Sequence, residues 1–211
     1  MCRILYARAE QEFSIPELLE NFAGVARNSS EYQGHGWGCA WRVRGQWRQY
    51  HAIKPVWEDD FTEFGKTSLL LVHARSAFRD EGIVIENNMP FSDGDSMFIF
   101  NGELRGVRIK SQGRIGAEKI YNYIRRFDKG DKLAAMTRAV DIIHKRSAYV
   151  RAMNIVLSDG METFVSSSYS ENPDYFQLHQ KRSAGLHLLC SQPFADDSGW
   201  SRIDNNITMK L

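Results

Sequence analysis

The spacing of apolar residues along the chain predicts three amphipathic helices. Apolar positions recur three and four residues apart over 15–27, 117–127 and 132–145, a spacing that gathers them on one face of a helix. The first segment opens with Ser14-Ile15-Pro16-Glu17, a capping box with a proline inside the first turn. Each helix therefore has one face that must pack against another element.

The remaining apolar residues occur in short runs that predict strands. Alternation around Arg44-Gly45-Gln46 predicts a hairpin over 36–50, and the turn Ser158-Asp159-Gly160 predicts a second hairpin over 154–165. Further strands are predicted at 68–73, 97–100, 186–190 and 207–209, with a loop rich in aspartate, glycine and asparagine over 79–95. Because strands cluster apart from helices, the pattern favours an α+β fold with antiparallel sheets over βαβ alternation. With no repeat and no linker, we expect one domain over residues 1–211.

The composition is that of a globular protein without a bias towards a charged partner. Of 211 residues, 43% are apolar and five are tryptophan, enough for a sizeable core. The 27 basic and 26 acidic residues nearly balance, which argues against nucleic-acid binding. No apolar run is long enough to predict a membrane span, and the N-terminus does not resemble a signal peptide. These features predict a cytoplasmic protein that binds neither nucleic acid nor membrane.

The second residue is a candidate nucleophile. Cys2, Cys39 and Cys190 are too scattered for a disulfide framework, and no CxxC or HExxH spacing indicates a zinc site. Removal of Met1, which is common when a small residue follows, would leave Cys2 with a thiol and a free α-amine on one carbon. The amine, with a reference pKa of ~7.7–8.0, can accept the proton of a thiol of pKa ~8.5. The alternative is an ordinary second residue at the start of a strand, since Ile4 follows in an apolar run.

Six further motifs accompany Cys2 along the chain. In order, they are Gly34-His35-Gly36-Trp37-Gly38, His73-Ala74-Arg75, Glu86-Asn87-Asn88-Met89-Pro90-Phe91, Phe100-Asn101-Gly102, Leu157-Ser158-Asp159-Gly160 and Ser191-Gln192-Pro193-Phe194. Each is weak alone, because glycine-rich turns and Asn-Gly pairs are common. Taken together and in this order, they make the sequence resemble the class-II glutamine amidotransferases, a branch of the N-terminal-nucleophile hydrolases. The resemblance is greatest to free-standing members that lack a fused synthetase, and it spans essentially the whole chain.

The resemblance implies a fold and a reaction. The fold would be the four-layer αββα sandwich of the N-terminal-nucleophile hydrolases, and no metal or organic cofactor is implied. Cys2 would attack the carboxamide of glutamine or of a γ-glutamyl compound and form a thioester. Asn101, following the strand 97–100, would offer its side-chain NH2 to the oxyanion, and Gly102 its backbone N–H. Without Cys2, this Asn-Gly pair would be interpreted as a tight turn.

Four residues are candidates for the substrate pocket. Arg75 follows the strand 68–73, where a guanidinium can bind a carboxylate through two hydrogen bonds. The resemblance assigns it to the α-carboxylate of glutamine, and the alternative is a strand-end ion pair. His73 is expected near the same site as a packed core residue, not as the base. Gly36 and Trp37 belong to the first hairpin, where the glycine lets the hairpin close near the nucleophile and the tryptophan packs on the sheet.

Two positions depart from the family pattern. Phe100 stands where the family usually has histidine, a change we expect to affect packing more than chemistry. Gly116 stands where the family has the aspartate that receives the ammonium group of glutamine. Three explanations stay open. Another carboxylate (Asp93, Asp95 or Glu103) substitutes, the substrate lacks a free α-amine, or the protein has drifted from glutamine hydrolysis altogether.

Two other classes of function are compatible with the sequence. A non-catalytic module could keep the pocket to sense an amino-acid-like ligand, which the missing aspartate favours and the retained Cys2, Arg75 and Asn101-Gly102 oppose. A thiol or metal protein built from the three cysteines has no supporting spacing. For the amidotransferase interpretation, a separate synthetase subunit would be needed to use the ammonia, because the chain has no room for one.

Overall fold

Two antiparallel sheets stack face to face in the computed structural model, which describes residues 1–78 and 81–211. The strands are β1 (Arg3–Ser14), β2 (Trp37–Val43), β3 (Gln46–Ala52), β4 (Lys66–Ala74), β5 (Phe91–Ser92), β6 (Met97–Arg105), β7 (Tyr149–Ser158), β8 (Thr163–Ser167), β9 (His179–Ser183), β10 (Leu186–Cys190), β11 (Ser201–Arg202) and β12 (Ile207–Lys210). The helices are α1 (Ile15–Arg27), α2 (Gly116–Arg125), α3 (Lys132–Arg146) and the short α4 (Pro173–Phe176). The seven-stranded sheet has the order β11-β9-β10-β1-β4-β2-β3, and the five-stranded sheet has the order β12-β8-β7-β6-β5.

Strand β1 lies inside the first sheet, and its side chains alternate between the two faces of that sheet. Leu5 and Ala7 pack in the cluster that contains α1, whereas Ile4 and Tyr6 pack in the cluster that contains the second sheet. This alternation follows from the two-residue period of a strand. Helix α1 follows β1 directly, and Ser14 caps it as predicted, with its hydroxyl accepting from the Glu17 backbone N–H at 3.4 Å. The predicted bounds of this helix are confirmed.

Helices α2 and α3 cover the opposite face of the second sheet. The ring of Phe98 in β6 stacks on Tyr121 of α2 at 4.9 Å, and Met136 and Ile143 of α3 are fully buried in the same cluster. The layers therefore run helix, sheet, sheet, helix, and the predicted α+β sandwich is confirmed. Across the described part of the chain, every helix is too short or too polar to cross a membrane.

The structure differs from the prediction in two places. Strand β6 continues to Arg105, because it pairs with β7 along its whole length, so Asn101 lies inside the strand and not after it. In the predicted loop over 79–95, residues 79 and 80 lie outside the described residues, and the remainder contains a 3-10 turn over Ile85–Asn87 and strand β5. Strands β9 and β11 and helix α4 were not predicted from the sequence. These are short, and β9 consists mainly of polar residues, so none produces a clear apolar period.

Candidate functional site

Cys2 precedes β1 at the edge of the sheet where β4 ends. Arg3 pairs with Ala74, so Cys2 lies opposite the first residues after β4, and its Sγ is 3.8 Å from the Ser76 carbonyl oxygen. Cys39 and Cys190 are 0% exposed and belong to the cluster around α1, on the other face of the sheet from Ile4. Cys2 is half-buried. The three thiols do not form one site, and only Cys2 remains within reach of a reagent.

The groups around Cys2 shift the pKa of its thiol in opposite directions. Burial raises the pKa of the Cys2 thiol, the N-terminal ammonium and Arg75 lower it in part, and Glu31 raises it. Burial also raises the pKa of the other two thiols, that of Cys190 to about 11. A thiol in these surroundings is protonated near neutral pH, so a reaction at Cys2 requires a neighbouring base.

Arg75 is held at the site by its backbone and by its guanidinium. Its N–H donates to the Gly36 carbonyl at 2.9 Å, and its own carbonyl accepts from the His35 N–H at 3.1 Å. The guanidinium is nearly buried, with Nη1 donating to the Gly82 carbonyl at 2.8 Å and Nη2 to the Glu81 carbonyl at 3.5 Å. Among the described residues no acidic side chain pairs with it, and the acceptors that its guanidinium contacts there are neutral carbonyl oxygens.

Gly36 and Trp37 occupy different layers. Gly36 has φ +105°, and a Cβ there would lie 2.2 Å from the Asn88 side-chain nitrogen, so only glycine fits against this loop. The ring of Trp37 packs against Tyr50 and Phe61 on the α1 side of the sheet and donates to Asp59. The structure thus brings Gly36 to Arg75, whereas the Trp37 side chain is directed away from the second sheet.

Asn101 and Gly102 lie in β6, opposite Asn154 and Met153 of β7. Asn101 is 0% exposed, and neither its side-chain nitrogen nor its side-chain oxygen has a hydrogen-bond partner within the described residues. A buried amide without a partner is costly, at about 1–3 kcal/mol, so it is rarely kept without a use. A Cβ at Gly102 would lie 2.2 Å from the Ala152 carbonyl oxygen, which excludes larger residues there.

His73 is fully buried on the face of β4 that meets the second sheet. Burial and the charge of Arg75 lower its pKa to about 3, with the Phe100 backbone opposing the shift in part. The imidazole is therefore neutral throughout the physiological range and a poor proton acceptor. The position of His73 is that of a packed core residue. Phe100 is itself buried, in the hydrophobic cluster that contains the second sheet.

Gly116 opens helix α2 and faces open space. A Cβ there would meet nothing within 4 Å, and the preceding Ile115 caps the helix without a side-chain hydrogen bond. The carboxylate of the nearby Glu118 forms an ion pair with Arg114, and Arg114 Nη2 lies 2.7 Å from Glu118 Oε1. Neither packing nor backbone conformation therefore requires glycine at 116, and an aspartate would fit.

The three carboxylates proposed to replace the missing aspartate lie in different surroundings. Asp93 accepts from Arg125, the last residue of α2, at 2.9 Å, and Asp95 is exposed. Glu103 lies two residues after Asn101 on the same face of β6, and it accepts from Arg151 at 3.2 Å. Of the three, only Glu103 shares a strand face with Asn101.

Sequence analysis missed three residues that enclose Met1. The Met1 ammonium pairs with Glu31, and the Met1 carbonyl oxygen accepts from Gln33 Nε2 at 2.6 Å and from the Tyr175 hydroxyl at 2.5 Å. Tyr175 is more than 140 residues from Gln33, and no motif connects them. The one available signal was a glutamine in a polar segment just before the predicted first hairpin, which is too common to indicate a site.

A cleft of about 680 Å³ lies elsewhere on the molecule. It is bordered by Ala9 to Phe13 of β1, by Glu17 of α1 and by Lys181 and Leu186 of the β9–β10 hairpin. None of the predicted site residues lines it. The cleft is therefore separate from the site at Cys2.

Comparison with known proteins gives similarity in structure only. No protein-family model and no curated sequence matches the chain. A glutamine aminotransferase class-II domain protein from Silicibacter pomeroyi has a TM-score of 0.68 at 14% identity, over 99% of this chain and 94% of that one. A predicted glutamine amidotransferase from Pseudomonas aeruginosa has a TM-score of 0.61 at 15% identity, over 99% and 96%.

A third similar structure is that of a larger enzyme. The glutamine phosphoribosylpyrophosphate amidotransferase from Bacillus subtilis matches at a TM-score of 0.65 and 12% identity, over 90% of this chain but only 42% of that one. At these identities the comparisons establish the fold, which is that of class-II glutamine amidotransferase domains.

Proposed function

We propose that this chain is a glutamine amidotransferase-like amidohydrolase that uses Cys2 as an N-terminal nucleophile. Its substrate would be glutamine or a γ-glutamyl-type amide. The names of the structural neighbours, together with the order of the sequence motifs, support this class of reaction. The observation that carries the proposal is the position of Cys2, a half-buried thiol opposite the end of β4 and within the influence of the Arg75 charge.

The reaction would begin once hydrolysis of the Met1–Cys2 peptide bond has freed the α-amine. The amine accepts the thiol proton, directly or through a water, and the thiolate attacks the carboxamide carbon. The oxyanion would be held by the side-chain NH2 of Asn101 and the N–H of Gly102. The C–N bond then breaks, ammonia leaves with the proton, and water hydrolyses the Cys2 thioester to release the acid.

Arg75 would hold the carboxylate of the substrate. Its guanidinium now bonds to the carbonyl oxygens of Glu81 and Gly82, which are neutral acceptors. A carboxylate is a stronger acceptor for a guanidinium, at about twice the strength of a neutral partner, so substrate would displace these bonds. If the ammonia is transferred to an acceptor, a separate synthetase subunit would provide the acceptor site.

The direct test is intact-mass analysis before and after treatment with a glutamine-mimicking diazoketone. Because Cys39 and Cys190 are 0% exposed, native protein should take up a single adduct, and that adduct should map to Cys2. Loss of Met1 together with this adduct would support the proposal. A retained Met1 without labelling would contradict it and favour a binding module that lacks chemistry. The replacement of the ammonium-binding aspartate by Gly116 is the observation in favour of that second candidate.

Gly116→Asp should increase affinity for glutamine if the substrate ammonium docks at the start of α2. The new carboxylate has open space around it and lies at a helix N-terminus, where it should add about 0.3–1 kcal/mol of stability. A hydrogen-bonded ion pair with the ammonium is worth roughly 1.5–3 kcal/mol, so KM for glutamine should fall by about ten- to a hundredfold. Steady-state kinetics with glutamine measure this change.

Gly116→Ala is the matched control. It removes the cost of glycine in a helix, about 0.5–1 kcal/mol, without adding charge, so it should raise thermal stability and leave KM unchanged. An equal KM for Gly116→Asp and Gly116→Ala would show that the ammonium does not bind at this helix end. The search would then move to amides without a free α-amine.

A further inference from the structure

The residues around Met1 bind its carbonyl oxygen, which is lost when Met1 is removed. Gln33 is 0% exposed, and its Nε2 lies within hydrogen-bond distance of the Met1 carbonyl (2.6 Å), the Glu31 carbonyl (2.7 Å), the Tyr175 hydroxyl (3.2 Å) and the Ser29 hydroxyl (3.4 Å). An amide nitrogen has only two hydrogens to donate. The Gln33 Oε1, by contrast, has no partner within the described residues. Gln33 Oε1 is therefore a buried acceptor to which no described group of this cluster donates.

Removal of Met1 changes what this cluster faces. The carbonyl oxygen and the nitrogen of one peptide group are about 2.3 Å apart, as their bond lengths require. When Met1 leaves with its carbonyl, Gln33 and Tyr175 lose an acceptor, and the new α-amine of Cys2 lies next to the vacated position. An ammonium brings three donors to a site that holds an unpartnered amide oxygen and a hydroxyl oxygen.

Charged groups from several elements act at this amine directly or through a chain of ion pairs. Glu31 after α1 and Arg75 after β4 act on the Cys2 thiol, and Arg3 of β1 contacts the phenol ring of Tyr175 in α4. Arg151 of β7 connects Glu31 to Glu103 of β6 and to Glu171 before α4, and Arg105 of β6 pairs with Glu103. Arg3 lies over the Tyr175 ring at 4.0 Å and fixes its position. Arg151 joins Glu31, Glu103 and Glu171 at 3.4, 3.2 and 2.7 Å. Arg105 also pairs with Glu103, at 2.6 Å, and Glu31 shares Arg151 with two other carboxylates. Removal of the Met1 ammonium therefore leaves Glu31 with Arg151, at 3.4 Å, as its ion-pair partner among the described residues.

We propose that Gln33 and Tyr175 are positioning residues for the free α-amine of Cys2, and that Glu31 sets the pH at which this amine becomes a base. The inference rests on the proposed function, because it assigns the amine the role of accepting the thiol proton. The Gln33 amide turns its Oε1 towards the amine, and the Tyr175 hydroxyl accepts a second hydrogen. Together they aim the nitrogen lone pair at the thiol after deprotonation. The Glu31 carboxylate favours the ammonium form and so delays that deprotonation to higher pH.

The test compares processed wild type with Glu31→Gln, Tyr175→Phe and Gln33→Leu. Removal of Met1 is first verified by intact mass for every protein. Alkylation of Cys2 by iodoacetamide is then followed across pH, and NMR of ¹³C-cysteine-labelled protein follows titration of the Cys2 β-carbon. Both readouts are independent of amide hydrolysis, so they test this inference even if glutamine is not a substrate. For Glu31→Gln we expect both midpoints to move to lower pH by about one unit.

The two positioning variants have a different expected signature. Tyr175→Phe and Gln33→Leu should lower kcat by about tenfold or more with KM unchanged, because a misplaced base slows proton transfer without weakening substrate binding. They should also slow alkylation at pH values below the midpoint. Tyr121→Phe, which removes a hydroxyl that bonds to the Ser96 carbonyl in the α2 layer, is the control and should match wild type in every profile.

The inference is overturned if the pH profiles of Glu31→Gln and Tyr175→Phe coincide with those of wild type and Tyr121→Phe. Glu31 is partly exposed and Tyr175→Phe keeps its ring against Arg3, so both variants should fold even if Gln33→Leu does not. A shifted profile in a protein that hydrolyses no amide would keep the inference and reject the proposed substrate.

Discussion

Replacing Cys2 by alanine should abolish amide hydrolysis, with kcat lowered by roughly 10⁴- to 10⁶-fold, as is typical when a covalent nucleophile is removed. Alanine is also small, so Met1 should still be removed and the fold retained. Binding of substrate should survive, because Arg75 and the carbonyl oxygens around it are unchanged. The measurement is a coupled assay for released ammonia or acid, together with calorimetric binding of the intact amide.

Cys39→Ala is the matched control for this experiment. It also removes one thiol, but from the core between the first sheet and α1, so it should cost about 1 kcal/mol of stability and leave kcat near wild type. Turnover that persists in Cys2→Ala would point to another nucleophile. If neither wild type nor Cys2→Ala hydrolyses amides while both bind the same ligand, the sensor interpretation is favoured.

Asn101→Ala should lower kcat by about 10²–10³-fold with a smaller change in KM, the effect expected for loss of one oxyanion donor. The side chain makes no hydrogen bond within the described residues, so its removal breaks no structural bond. Stability should fall only by the cost of a small cavity, or rise if the unpaired amide is the larger penalty. Steady-state kinetics and urea denaturation of the same preparation separate these two quantities.

Asn154 provides a control directly across the ladder. It pairs with Asn101 in the register of β6 and β7 and is equally buried, but its Nδ2 donates to the Phe176 carbonyl at 2.7 Å. Asn154→Ala should therefore lose about 1–3 kcal/mol of stability. Its kcat should fall less than that of Asn101→Ala. The reverse order, with kcat more sensitive at 154, would remove Asn101 from the oxyanion site.

Features with a local cause were predictable from the sequence. Helix α1 begins where predicted because its N-terminal cap is a contact within four consecutive residues, Ser14 to Glu17. The strand predicted over 68–73 corresponds to β4, which ends one residue later at Ala74, and the end of the apolar run placed Arg75 just beyond a strand. The separation of strand and helix patterns predicted an α+β fold, and the αββα layering was implied by the family resemblance that the motifs carry.

Features that depend on contacts between distant segments were not predictable. Asn101 was expected after a strand because the apolar run ends at Phe100, yet pairing with β7 carries β6 on to Arg105. Backbone pairing of this kind does not change the spacing of apolar residues, so the sequence pattern does not reveal it. The cluster of Glu31, Gln33 and Tyr175 around Met1 is similarly invisible, since polar residues contribute to no apolar pattern and the partners are far apart in sequence.

The position of Met1 has a consequence for when it can be removed during biosynthesis. Its contacts come from Glu31 and Gln33 and from Tyr175, which is synthesised more than 140 residues after Gln33, while the β10 neighbour of β1 is made later still. At about 5–20 residues per second, the ribosome leaves several seconds between these segments. During that interval β1 lacks one of its two partner strands and Met1 lacks its cover. An aminopeptidase acting on the nascent chain therefore meets an open terminus, whereas one acting after release meets a closed one.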